Sequence, residues 1–219
     1  MASTGPRPAR SALVVPIRLP AGLARLRERE VEVARLGVPP HVTILSPFLA
    51  VDDLDRRVSA VVGEIVASAP AFEVELTSVR RWPPSDDGPG VVWLAPEPAE
   101  PFVALTRAIW SAYPEYPPYG REDDELDAHL TIAIDDPSRF DAAEAEARAL
   151  VPFRRRVITV ALLVEGPDGR WRTRRHFALG GLSDLTPALG PSGPSVDHPT
   201  KKTRLGTHAL PFRRRMVHA

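Results

Sequence analysis

The phrase His-apolar-Thr-Ile occurs twice in the chain, as His41-Val42-Thr43-Ile44 and as His129-Leu130-Thr131-Ile132. In a β-strand, alternate side chains point to one face. His41 would therefore project with Thr43, and His129 with Thr131, while the apolar residues between them face the other way. Neutral imidazole accepts a proton near pH 7 and imidazolium donates one. Two imidazoles across a cleft could take a proton from an attacking water or hydroxyl and protonate a leaving oxygen in one step. Phosphodiester chemistry needs that pairing. The threonine hydroxyls, two residues along on the same face, could donate to non-bridging phosphate oxygens. Such a site needs no nucleophilic side chain and no cofactor.

A single His-x-Thr is more simply read as a strand histidine satisfied by its neighbours. Two copies that share their apolar and isoleucine positions favour the functional reading. A metal centre is the rival for clustered histidines. Neither motif has a His-Glu-x-x-His spacing, and the chain has no cysteine, so no metal is expected. His176 reads as a surface or structural residue, and His198, His208 and His218 fall in an aperiodic tail.

The elements that would carry these residues repeat. The first half reads as strand 11–17, helix 21–36, strand 41–46, helix 54–68 and strand 71–80. The second reads as strand 91–94, helix 100–113, strand 129–134, helix 138–150 and strand 154–165. The signals are period-2 and period-3.6 apolar patterns punctuated by proline and glycine. Asp52 and Asp53 serve as start signals for the second helix. Gly37-Val38-Pro39-Pro40 would stop the first helix and deliver the chain extended into His41. A turn at Gly166-Pro167-Asp168-Gly169 returns a last strand, 170–179, against 154–165. The motif occupies the third slot of each half. The expected fold is α+β: two lobes built from duplicated βαβαβ units, with antiparallel sheets lining a central cleft about a pseudo-two-fold axis and the motif strands central.

Composition is that of a soluble globular protein, 43% apolar and 26% charged. Lys plus Arg balances Asp plus Glu at 28 each, which argues against a broad polyanion-binding surface but not against a phosphate pocket. No apolar run approaches the roughly 20 residues of a membrane span, and the first ten residues are no secretory signal. The chain is expected to be a cytoplasmic monomer with no membrane partner. Residues 1–10 read as a disordered lead, 11–180 as the folded domain, and 181–219 as a disordered tail rich in proline, glycine and basic residues.

These features resemble the 2H phosphoesterase superfamily, in particular its 2′-5′ RNA ligase-like and cyclic phosphodiesterase branch. The resemblance covers about residues 11–180 and includes Val91–Pro98 (VVWLAPEP) and Glu115–Gly120 (EYPPYG). It implies His41 and His129 as catalytic residues and Thr43 and Thr131 as phosphate-binding residues. It also implies metal-independent hydrolysis of 2′,3′-cyclic phosphates or related nucleotide and RNA-end phosphodiesters, and in some members reversible 2′-5′ joining of RNA. The alternative is a non-catalytic RNA-end or nucleotide-binding module on the same fold. Tyr116 and Tyr119, in the loop before the second motif, are candidates to stack on a base or donate to phosphate. Arg80, Arg81 and Trp82 are candidates for the rim, with Arg81 taken as a substrate contact. Trp93 reads as core.

Overall fold

The computed structural model describes residues 9–85, 90–120, 126–134 and 136–180. Two four-stranded antiparallel sheets carry the fold. The strands are β1 (Ser11–Pro16), β2 (His41–Leu45), β3 (Phe72–Trp82), β4 (Val91–Glu97), β5 (Leu130–Ile134), β6 (Phe153–Val157), β7 (Thr159–Glu165) and β8 (Trp171–Ala178). The helices are α1 (Ala21–Glu30), α2 (Glu32–Arg35), α3 (Arg56–Ser68), α4 (Glu100–Ala112) and α5 (Phe140–Arg148). One sheet runs β2-β1-β7-β8 and the other β5-β4-β3-β6.

The duplicated order is present, and the halves exchange parts. β3, the third strand of the first half, pairs with β4 in the second sheet, and β7 returns to pair with β1 in the first. The helices exchange too: α1 packs on β5, and α4 on β2. One continuous core results. It runs from Leu13, Val42, Ile44 and Val62 through Leu94, Phe102, Ile109, Leu130 and Ile132 to Val160 and Leu162, all close to fully buried.

Three expectations are corrected. Strand 154–165 is two strands. β6 pairs with β3 and β7 with β1, and the chain changes sheet at Ile158, which is 53% exposed. A continuous apolar pattern cannot reveal which sheet each end joins. Helix 21–36 breaks at Val31, which is extended (φ −128°, ψ 108°) and buries its side chain at 2% exposure. Val31 stands four residues after the buried Arg27 and eight after Leu23, on the same helical face, so the apolar pattern runs through it and hides the break. The motif strands are also not central: β2 and β5 each form an edge of their sheet. The two edges lie against each other where the sheets meet.

Smaller signals follow their physics. Asp55, not Asp52 or Asp53, caps α3, its carboxylate accepting from the Val58 amide at 2.7 Å. Residues 51–53 form a 3-10 turn that lets Leu54 bury first. The β7–β8 turn is as read, with Gly169 at φ 71°. Gly37 has φ 99°, and a Cβ there would lie 2.5 Å from the Trp171 carbonyl oxygen. Of the expected disordered lead, residues 9 and 10 are described. Arg10 is ordered, pairing through two hydrogen bonds with Glu165 at 2.7 and 3.0 Å. The tail 181–219 lies outside the described residues. No helix among the described residues is long and apolar enough to cross a membrane.

Candidate active site

The two histidines are held alike. Nδ1 of His41 lies 2.7 Å from the carbonyl oxygen of Pro39, and Nδ1 of His129 lies 2.8 Å from that of Asp127. In each case the partner stands two residues earlier. A carbonyl only accepts, so Nδ1 carries the proton and Nε2 is left to exchange protons with whatever enters the cleft.

A bulge explains the isoleucine shared by the two phrases. Along β1, Leu13 faces Leu45 and Val14 faces Thr43, so Ile44 is the extra residue. Along β4, Val92 faces Ala133 and Trp93 faces Thr131, so Ile132 is the extra one. Both isoleucines are buried, at 1% and 0% exposure. A bulge interrupts the alternation and re-aims the neighbouring side chains. Burying two consecutive residues after each threonine keeps His and Thr on the cleft side while the strand beyond turns into the core.

Register builds the two walls. Directly paired residues share a sheet face. On the second sheet the row runs Thr131–Trp93–Arg80, with the Arg80 guanidinium 5.5 Å from the Trp93 ring centroid. On the first it runs Thr43–Val14–Ala161–His176. The middle of this first row is covered: Val14 and Ala161 are buried in a small cluster with Ala12, Val38, Leu163 and Trp171. The second wall is aromatic around His129. Trp82 stands edge-on to that imidazole at 4.7 Å, Trp93 lies at 6.0 Å, and the ring of Tyr119 stacks on it at 5.8 Å.

Tyr119 joins the two motifs. Its hydroxyl reaches the Thr43 side chain, while its ring rests on His129. Its backbone is left-handed, φ 54°, a strained state for a side chain of this size. The Tyr119 amide holds it there by donating to the Ser46 carbonyl at 2.7 Å, at the end of β2.

Burial sets the protonation states. Desolvation lowers the His41 pKa to about 4, helped by the positive charge of Arg27 and the nearby His129. Burial also lowers His129, opposed by its hydrogen bond to Asp127 and by the Asp127 carboxylate. Burial raises the Tyr119 phenol to about 12, so it stays protonated.

His41, Thr43, His129, Thr131 and Tyr119 thus come together. His129 sits one residue before β5, not within it. Tyr116 and Arg81 are elsewhere. Tyr116 packs edge-on against Phe48 at 6.0 Å. Arg81 faces α5, bonded to Asp141 at 2.7 Å and Glu144 at 2.6 Å. Its neighbour Arg80 takes the cleft side by strand alternation. Trp93 is buried as expected, at 5% exposure, yet its indole edge also forms part of the wall, with Nε1 unpartnered. The residue that sequence reasoning missed is Arg27, buried in α1 beside His41; an arginine among the charges of 21–36 gives no sign of burial. Among the described residues, no three His, Cys, Asp or Glu side chains gather as a metal site.

The family model described as the 2'-5' RNA ligase superfamily matches residues 15–169. A Geobacillus kaustophilus (strain HTA426) protein named "Putative phosphoesterase GK0864" is 24% identical over 146 residues, covering 66% of this chain and 80% of its own length. The crystal structure of TT0787 from Thermus thermophilus aligns with 79% of this chain and 99% of its own, at 20% identity and a TM-score of 0.53. Escherichia coli LigT complexed with 3'-AMP aligns over 79% of this chain and 99% of its own, at 18% identity and a TM-score of 0.47.

Proposed function

The chain belongs to the 2'-5' RNA ligase superfamily, and from that premise we propose that it is a two-histidine phosphodiesterase acting on 2′,3′-cyclic phosphates or related nucleotide and RNA-end phosphodiesters. The observation that carries the reading is the matched anchoring of His41 and His129. Each ring is fixed through Nδ1 by the carbonyl two residues before it, and Nε2 has no hydrogen bond among the described residues. One structural histidine can acquire that geometry by chance. Two, each followed by a threonine and a bulge and brought together by edge strands, form an acid–base pair.

In hydrolysis, Nε2 of one histidine takes a proton from water as the new P–O bond forms. Nε2 of the other gives its proton to the ribose oxygen as the old P–O bond breaks. The product is a phosphomonoester, and proton exchange with solvent resets both rings. Thr43 and Thr131 hold the non-bridging oxygens through the same steps. No step calls for a metal. Because either ring can serve as acid or base, the same geometry supports the reverse joining of RNA ends through a 2′-5′ linkage. The half-buried ring of Trp82, backed by the buried Trp93 and with Arg80 beside it, suits a base and a neighbouring phosphate better than the covered first wall.

Hydrolysis of a 2′,3′-cyclic nucleotide in the presence of EDTA tests the proposal. Turnover that survives the chelator and disappears in His41→Ala and in His129→Ala is the expected result. Binding without turnover would identify the non-catalytic module instead.

A further inference from the structure

Among the described residues, Arg27 is the one charged residue buried as a whole, at 3% exposure. Its Nη1 donates to the Val38 carbonyl at 3.1 Å. The next carbonyl, that of Pro39, accepts from Nδ1 of His41. Two consecutive carbonyls therefore tie a buried guanidinium and the first imidazole to one stretch of backbone. No described carboxylate pairs with Arg27, and its Nε has no partner. Burial alone acts on its pKa, lowering it to about 10, so it stays charged at neutral pH.

A lone buried cation is costly, and a fold that keeps one without a salt bridge gains no pairing energy from it. What its charge bears on is His41. The other groups around His41 leave that field unopposed. From β5's approach comes His129, which is also a potential cation. Through Thr43 comes Tyr119, neutral at any ordinary pH. The α4 residues near Thr43 are Phe102, Val103 and Thr106, which do not titrate. The nearby carboxylate, Asp127, acts on His129 instead. The two motifs are alike in sequence and anchoring, but the charges behind them have opposite sign.

We infer that Arg27 is a positioning residue that breaks the symmetry of the two motifs: it keeps His41 in the neutral form, as the base that activates water, and leaves His129 as the proton donor to the leaving oxygen. The inference rests on the phosphodiesterase reading for its chemistry. Nε2 of His41 gains the proton of the attacking water as that oxygen bonds to phosphorus. Nε2 of His129 loses its proton to the ribose oxygen as that P–O bond breaks.

The test is a pH titration of both imidazoles by NMR in the full chain, for the wild type, Arg27→Lys and Arg27→Met, alongside kcat/KM against pH. The wild type should show His41 titrating below His129. Arg27→Met should raise the His41 midpoint by about one unit and carry the acidic limb of kcat/KM with it. That amounts to about tenfold less of the base form below the limb. Arg27→Lys, which keeps the charge, should largely restore both. His129 titrating first in the wild type overturns the inference without any variant. So does an unmoved His41 in Arg27→Met, or an equal displacement in Arg27→Lys, which would make the role one of shape. An inactive chain whose midpoints behave as stated would sink the phosphodiesterase reading and leave the electrostatic role of Arg27 standing.

Discussion

The phenol of Tyr119 reaches the Thr43 side chain while its ring lies stacked on His129, centroids 5.8 Å apart. One side chain thus spans from the first motif to the second. If its hydroxyl donates to Thr43 Oγ1, the threonine's own proton is free to turn toward a phosphate oxygen. Tyr119→Phe keeps the ring and removes that bond. A hydrogen bond of this kind contributes about 0.5–1.5 kcal/mol, so kcat/KM should fall about two- to twelvefold. Tyr119→Ala, which also removes the stacking, should cost more. Equal activity in Tyr119→Phe and wild type would deny the hydroxyl any part.

The depressed histidines make stability depend on pH in a definite sense. The folded state binds the His41 proton at about 4, against about 6.5 when unfolded. Between those values the unfolded chain holds more protons, so stability rises with pH through the window and levels above it. His129, also lowered, adds in the same direction. Urea unfolding should show about 2 kcal/mol less stability at pH 5 than at pH 7 from His41. His41→Gln should flatten that slope. An unchanged slope would mean that His41 titrates normally.

Gly37 is irreplaceable on two counts, a left-handed φ of 99° and a Cβ position 2.5 Å from the Trp171 carbonyl oxygen. Gly37→Ala should destabilise the chain by about 2–3 kcal/mol, read as a lower Tm. The residues after Gly37 present the Pro39 carbonyl to His41, so kcat should fall as well. A variant with native Tm would show that the loop yields freely.

The neighbours Arg81 and Trp82 should behave oppositely. Arg81→Ala removes ion pairs to Asp141, 92% exposed, and to Glu144. Partly exposed pairs are worth at most about 1 kcal/mol, so activity should stay within about twofold of wild type. Trp82→Ala strips the edge-on partner of His129 and should raise KM for a nucleotide substrate while leaving a small phosphodiester without a base less affected. A variant series in which Arg81, not Trp82, controls KM would place the substrate on the other face of β3.

What could be read from the chain was periodic or repeated. The His-x-Thr phrase, the repeat of elements and the Gly-Pro-Asp-Gly turn are local patterns, and local patterns survive translation into structure. What could not be read depends on partners distant in sequence. Ile158 divides two strands because Phe153–Val157 joins β3 and Thr159–Glu165 joins β1. Nothing in that run names its partner. Tyr116 and Tyr119 share a loop and a residue type, but the left-handed backbone of Tyr119 turns one toward His129 while the other packs on Phe48. Ile44 and Ile132 were visible as repeats, yet their bulges appear only in the register with β1 and β4.

The most direct measurement is single-turnover hydrolysis of a 2′,3′-cyclic nucleotide in EDTA by the wild type, His41→Ala and His129→Ala, with circular dichroism to verify folding. Each imidazole is asked for about a hundred- to ten-thousand-fold. Turnover in the wild type is expected, with a loss of that order in each variant while the fold stays intact. Full activity in either folded variant, or a wild type that turns over only when metal is returned, would contradict the two-histidine mechanism.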